Sequence, residues 1–239
     1  MMKLHLLGVN GPYPASNGAT SGYLLEAGDS LFQFDLGSGV LSRLTALMPP
    51  EELTALFLTH WHFDHAADLP VLMYRLESLG AVLPVYAPAD ENAALRKIVQ
   101  AASCFQLSDV APGDVLTLGN TEIRVCEARH PVPAVGYRVS QGGKSLGYTG
   151  DTNTLPGLAD FYRQCDLLLA DGLFPRENWA EGKPHLSAEL AARLAVDAEV
   201  SALVITHLNP AFSPRLLLEE ARKIFPAVRL AEAGNVVSL

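Results

Sequence analysis

Cysteine is scarce in this chain of 239 residues: Cys104, Cys126 and Cys165 are the only three, and no two stand in a CxxC spacing. That odd, scattered set excludes a disulfide framework and a thiolate zinc site, and it points to a reducing cytosol. Positive charge is also in deficit, with 17 Lys and Arg against 26 Asp and Glu, a net charge of −9 and no basic run. Such a chain is a poor electrostatic match for a nucleic acid backbone unless bound metal supplies positive charge. Long apolar stretches are missing too. The first apolar run, at 4–9, is broken by Asn10, Gly11 and Pro12 well short of a signal or membrane segment and reads as a strand. No repeat, low-complexity tract or charge block divides the sequence. One domain over residues 1–239 is therefore expected, cytoplasmic and with no membrane partner. With 49% hydrophobic and 18% charged residues, the chain can bury a core and is too apolar for a disordered one.

Apolar runs of strand length recur at 3–8, 22–27 and 30–35, separated by turn signals such as Ala27-Gly28-Asp29. Residues 41–47 have helical spacing, and 53–59 form an apolar run that ends on a histidine cluster. Helices are expected at 66–79 and 89–102 with a strand at 83–86 between them, followed by strands at 115–118, 122–127, 134–139 and 144–148. A strand at 166–170, an amphipathic helix at 187–196 with Ser187 as N-cap, a strand at 202–206 and a helix at 214–224 follow. Two alternating halves around a β-rich middle favour a layered α/β architecture, with sheets inside and helices outside.

Chemistry concentrates in Thr59-His60-Trp61-His62-Phe63-Asp64-His65, three histidines and one aspartate within six positions at a strand end. Imidazole and carboxylate are ligands that Zn²⁺, Mn²⁺ and Fe²⁺ accept. In an extended segment His60 and His62 face one way, while a turn after Phe63 swings Asp64 and His65 toward a second point, so one segment can serve two metals. His130, His185 and His207 lie after strands or in loops, where they read as partners of that cluster; His5 lies inside a strand and reads as an ordinary strand side chain. In Leu146-Gly147-Tyr148-Thr149-Gly150-Asp151, a strand runs into a tight turn that ends in a carboxylate able to bridge two cations. Asp68 and Asp171 are candidates to orient ligand rings, although Asp171 also reads as a plain strand-end residue. Tyr137 and Arg138 read as sheet residues, Trp61 and Phe63 as pocket wall or core, Phe212 as a residue of the mouth, and the cysteines as small buried hydrophobes.

In their order and intervals, His60-x-His62-x-Asp64-His65, His130, Asp151 and His207 resemble the metallo-β-lactamase superfamily, and the resemblance covers essentially the whole chain. Leu7-Gly8 leading to Pro14, the segment His130-Pro131-Val132-Pro133-Ala134-Val135-Gly136-Tyr137-Arg138, and Lys183-Pro184-His185-Leu186-Ser187 further resemble its ribonuclease Z branch. The resemblance implies a four-layer αββα sandwich and two divalent metal ions, Zn²⁺ foremost with Mn²⁺ or Fe²⁺ as alternatives. It places His60, His62 and His130 on one metal, Asp64, His65 and His207 on the other, and Asp151 between them. His185 matches the branch's histidine near the scissile phosphate, which protonates the leaving oxygen. A homodimer is carried over as a further expectation. Two departures stand out: no Pro-x-Lys-x-Arg-Asn segment follows Gly8, and no long Gly- and Lys-rich arm of the kind that grips transfer RNA is present.

The expected reaction is phosphodiester hydrolysis by a metal-bridging hydroxide, with Asp64 accepting a proton from that water and His185 acting as general acid. The net charge and the missing arm point to a small-molecule or short nucleotide diester as substrate rather than a long RNA. Two other readings share these residues: a hydrolase of esters, thioesters or lactones with the same fold, and a metal-binding protein without catalysis.

Overall fold

The computed structural model describes residues 2–239. In chain order the first half runs β1 (Met2–Gly8), β2 (Gly22–Ala27), β3 (Ser30–Phe34), α1 (Val40–Leu47), β4 (Ala55–Phe57), α2 (Phe63–Ala66), α3 (Leu69–Leu79), β5 (Leu83–Pro88), α4 (Ala94–Ala101) and β6 (Phe105–Val110). The second runs β7 (Val115–Leu118), β8 (Thr121–Glu127), β9 (Val135–Gln141), β10 (Lys144–Tyr148), α5 (Leu158–Phe161), β11 (Leu167–Asp171), α6 (Ala188–Asp197), β12 (Leu203–Thr206), α7 (Pro214–Arg222), β13 (Arg229–Leu230) and β14 (Val236–Ser238). The strands form two seven-stranded sheets, ordered β14-β1-β2-β3-β4-β5-β6 and β13-β12-β11-β10-β9-β8-β7. In each sheet an antiparallel part gives way to a parallel run, β3 to β6 in the first and β10 to β13 in the second.

Aromatic side chains fill the space between the sheets. Phe57 stacks on Phe34 and Tyr86 at centroid distances of 5.3 and 5.0 Å and meets Tyr137 edge-on at 5.4 Å. The outer faces take the helices: Leu44 of α1, Leu72 and Leu76 of α3 and Val99 of α4 cover the first sheet. Ala191, Ala192 and Ala195 of α6, with Leu217 of α7, cover the second. The result is the four-layer αββα sandwich that the resemblance implies. At the start of α6 the Ser187 hydroxyl accepts from Leu190 N, as its N-cap position requires.

Local chemistry explains where the elements depart from the apolar pattern. The strand expected over 53–59 pairs only through Ala55–Phe57, because Thr59 N–H leaves the ladder to donate to the Asp35 carboxylate at 2.8 Å. The single helix expected over 66–79 is two, α2 and α3, with Pro70 in the first turn of the second, where its missing N–H costs no bond. The helix expected from 89 begins at Ala94, because the Asp90 side chain accepts from Asn92 N and holds a turn. Strand β6, absent from the sequence reading, is an edge strand buried only at its two ends. Cys104 and Cys165 are buried as expected; Cys126 is partly covered, its sulfur 3.3 Å from the Tyr162 hydroxyl.

Burial pushes the Cys126 thiol up to about 11, so at pH 8 about one thiol in a thousand is ionised. Iodoacetamide at pH 8 should therefore modify Cys126 at least about 100-fold more slowly in the folded protein than in the chain unfolded by guanidinium. Mass spectrometry of timed digests reads both rates, and equal rates would show that β8 opens readily.

Candidate metal centre

The anticipated side chains come together where parallel strands of both sheets end. Asp35 follows β3, the 59–65 loop follows β4, Asp151 follows β10, Asp171 closes β11 and His207 follows β12. The carboxyl ends of parallel strands are where such sheets hold ligands. His130 comes from the loop after β8, and His185 from the segment ahead of α6.

Two main donor groups result, and a third set, His130, Asp151 and His185, overlaps both. His60 Nε2, His62 Nδ1 and His130 Nε2 converge, with His62 Nδ1 2.9 Å from the first and 3.1 Å from the second. Asp64, His65, Asp151 and His207 form the second group. His65 Nε2 lies 3.2 Å from Asp151 Oδ1, and Asp64 Oδ2 lies 3.7 Å from both His65 Nε2 and His207 Nε2. The two oxygens of Asp151 are divided between the groups, Oδ1 toward His65 and His207, Oδ2 3.7 Å from His60 Nε2.

These residues fit divalent cations on two observations. His207 Nε2 is buried without a hydrogen-bond partner, a state that costs about 1–3 kcal/mol, and buried His65 Nε2 has only a poorly aligned Asp151 Oδ1 at 3.2 Å. Three imidazole nitrogens also meet at about 3 Å, where they cannot all satisfy one another because a neutral ring has only one donor. Tetrahedral zinc with bonds of about 2.0–2.1 Å spaces its nitrogens roughly 3.3 Å apart. That spacing is close to the one observed.

Several rings are held from behind by the other nitrogen. His60 Nδ1 bonds to Thr59 Oγ1 at 3.0 Å and His130 Nδ1 to the Pro184 carbonyl at 3.1 Å, while His207 Nδ1 stands between Ser21 Oγ at 3.1 Å and Asp151 Oδ1 at 3.3 Å. His65 Nδ1 donates to Asp35 at 2.8 Å. Such backing fixes ring orientation and tautomer. Asp35, Ser21 and Thr59 were not singled out from the sequence; for Asp35 the available signal was a carboxylate closing an apolar strand in Phe34-Asp35-Leu36. Of the two aspartates considered for this role, Asp171 contacts a ring, that of His185 at 2.9 Å, whereas Asp68 accepts from Leu41 N at the start of α1.

The electrostatics follow from burial and neighbours. Burial and the adjacent His65 hold His60 well below the usual imidazole range, and burial also lowers His62 and His130, the latter to about 4. Those rings are neutral, as a cation requires. For Asp151 burial opposes charge, yet His207, His65 and His185 hold its carboxyl well below the usual range. Burial pushes Asp64 up to about 6. Burial works against protonated His185 too, but Asp171 and Asp151 outweigh it and raise the ring to about 9. The Asp171 carboxylate, 2.9 Å from His185 Nδ1, thus favours the protonated ring.

Glycine permits two close approaches. Gly150 has φ 58°, in the left-handed region, and turns the chain so that Asp151 enters the site. A Cβ on Gly11 would overlap the His207 ring itself. The walls differ in character: Trp61 is buried and donates to the Pro88 carbonyl, whereas Phe63 is 67% exposed and lines a groove of about 310 Å³ with Asp90, Asn92 and Val132. The Phe174 ring stands 6.0 Å from His185, and Phe212 stands 6.1 Å from Phe174. Tyr137 and Arg138 are structural: the first donates to Leu58 O, the second to the carbonyls of Phe161 and Arg163.

Comparison with known proteins agrees with this geometry. A family model described as the β-lactamase superfamily domain matches residues 23–208. The probable metallo-hydrolase YhfI of Bacillus subtilis is 32% identical, over 98% of this chain and 99% of its own. Its crystal structure, titled as a metallo-β-lactamase fold protein, superposes with a TM-score of 0.93 over 99% of this chain and 98% of that one. Ribonuclease Z of Methanopyrus kandleri is 28% identical over 98% of this chain and 96% of its own. The short form of human tRNase Z shares the fold, with a TM-score of 0.82 at 19% identity over 99% and 98% of the two chains.

Replacing Asp35 by Asn leaves His65 without its carboxylate and should weaken metal binding by about 10- to 100-fold. Competition of Zn²⁺ against a chromogenic chelator measures this, and an unchanged affinity would contradict the role given to Asp35. Gly11→Ala should displace the His207 ring and lower the metal content of the purified protein, read by elemental analysis, with far-ultraviolet circular dichroism preserved.

Proposed function

Because the chain belongs to the metallo-β-lactamase superfamily of hydrolases, we propose that it is a dinuclear metal-dependent phosphodiesterase for small or short nucleotide diesters. His60, His62 and His130 would hold one cation, Asp64, His65 and His207 the other, and Asp151 would lie between them. The imidazole and carboxylate donors suit Zn²⁺, with Mn²⁺ or Fe²⁺ as alternatives. When bound, such a pair supplies a water activated near neutral pH and positive charge against the phosphoryl oxygens.

The protein's own groups move the protons. Asp64, pushed up to about 6 by burial, is a carboxylate at neutral pH and can accept the proton of the attacking water. His185 turns Nδ1 to Asp171 at 2.9 Å, which leaves Nε2 to donate a proton to the departing alkoxide oxygen. Asp171 keeps the ring oriented and compensates its charge. The His185–Asp171 pair beside the donor groups is the observation that carries the phosphodiester reading, since an alkoxide leaves a phosphorus centre poorly without a proton donor. The ribonuclease Z relatives support it, and the acidic, armless chain favours small diesters over long RNA.

Zinc- or manganese-loaded protein should hydrolyse bis-p-nitrophenyl phosphate and a dinucleotide. His185→Ala should keep its metal and lose about 10²–10⁴-fold in kcat on the dinucleotide, whose alkoxide needs the proton. The loss should be smaller for p-nitrophenolate, which leaves unaided. Thioester or lactone hydrolysis faster than the diester rate by orders of magnitude would overturn the reading.

A further inference from the structure

Phe174 and Lys183 have no part in holding metal, yet both are tied to the proton donor. Phe174 follows β11 and forms a one-residue bridge with Ser187: its N–H donates to Leu186 O at 3.3 Å and its carbonyl accepts from Ala188 N at 3.0 Å. The bridge holds its ring against His185, at 6.0 Å and 65°, with Phe212 at 6.1 Å. Lys183 stands two residues before His185, its carbonyl bonded to Asn153 Nδ2 at 2.6 Å. Its ammonium lies 5.3 Å from the Phe174 ring centroid, and it pairs with no carboxylate among the described residues. An exposed cation thus reaches the ring that packs on His185, in a chain of net charge −9.

We propose that Phe174, Phe212 and Lys183 form the subsite for the leaving group, and that the preferred substrate departs as an alcohol whose planar ring carries a further anionic group. A general acid must lie beside the oxygen it protonates, so the arm attached to that oxygen rests against the neighbours of His185. Two aromatic faces receive a flat ring, and a cation over one of them receives an anion. The other wall has the opposite sign. The groove under Phe63 contains the Asp90 carboxylate, which is 8% exposed and bonded to a backbone N–H, not to a cation. It therefore repels an anionic arm. The charge difference between the walls sets the direction in which an asymmetric diester lies and which of its bonds is cut. This inference rests on the phosphodiesterase reading and goes further by naming the arm that leaves.

Two synthetic diesters separate the possibilities: methyl p-nitrophenyl phosphate, and the methyl phosphodiester of 5-hydroxy-2-nitrobenzoate, whose leaving phenol carries one extra carboxylate. With zinc-loaded protein the carboxylated diester should show a KM about fivefold lower, the scale of one exposed ion pair. Lys183→Met should abolish that KM difference, and Lys183→Arg should restore it. Phe174→Leu should raise KM for both diesters. Without turnover, calorimetry should find 5-hydroxy-2-nitrobenzoate bound more weakly by the Lys183→Met protein than by the wild type. Equal KM values in the wild type, or a preference that survives Lys183→Met, would overturn the subsite alone. Hydrolysis of neither diester would overturn the phosphodiesterase reading and the subsite with it.

Discussion

The Asp35 carboxylate sits fully buried where the two sheets meet the metal centre, and the arrangement around it depends on how its oxygens are satisfied. It accepts from Thr59 N at 2.8 Å, from the Thr59 hydroxyl, from His65 Nδ1 at 2.8 Å and from the Tyr148 hydroxyl at 2.6 Å. Those donors come from the loop after β4, from the metal centre and from β10 of the opposite sheet. A buried carboxylate short of donors would be costly, so each bond is a demand on the position of its donor. The sheets are thus set in register by the same group that orients a ligand ring, which makes the separation of His60 and His65 from Asp151 a property of sheet packing rather than of loop conformation.

The distribution of charge has the same logic. The chain is acidic throughout, and part of that excess converges at the centre as Asp64, Asp151 and Asp171 with Asp35 behind them. Left without cations, the pocket contains carboxylates in mutual repulsion and imidazoles with buried, unpartnered nitrogens. Two divalent cations would offset nearly half of the net charge of −9 and do so at one point. Locally the field then favours an anion while the surface as a whole repels polyanions. On the proposed reading, that acidity would select against extended RNA and leave a single phosphate free to enter.

What could be read from the sequence was what is contiguous or punctuated. The His60–His65 segment is compact, and its placement after an apolar run located the site; Gly150-Asp151 and the segment around His185 were legible for similar reasons. The layered α/β character followed from alternation, but the sandwich itself rested on the resemblance, because nothing in composition says which strands share a sheet. Asp35 could not be read because its role requires β3 beside β4, with Phe34 opposite Phe57, and β10 in the facing sheet. Asp68 and Asp171 were both candidates, with Asp171 reading first as a plain strand-end residue, until topology separated them: the parallel register of β11 with β12 sets Asp171 opposite Thr206, next to the His207 that follows. Strand β6 escaped notice because an edge strand with polar, exposed central residues has no apolar run to show.

Catalysis and substrate choice are attached to this frame with different stiffness. The rings of His60, His65 and His130 are each held by a bond to the second nitrogen, and His207 and Asp35 sit in the left-handed backbone region at φ 57° and 53°, a conformation retained only where surroundings over-determine it. The wall residues are freer. Phe63 stands exposed on α2, and the Lys183 ammonium is restrained by no carboxylate. A change at the walls therefore alters which ester arm fits without moving a metal donor, whereas a change behind a donor ring disturbs every substrate alike. On the proposed reading, this separation would let one set of imidazoles and carboxylates serve different diesters on the same sandwich, with the walls setting the preference.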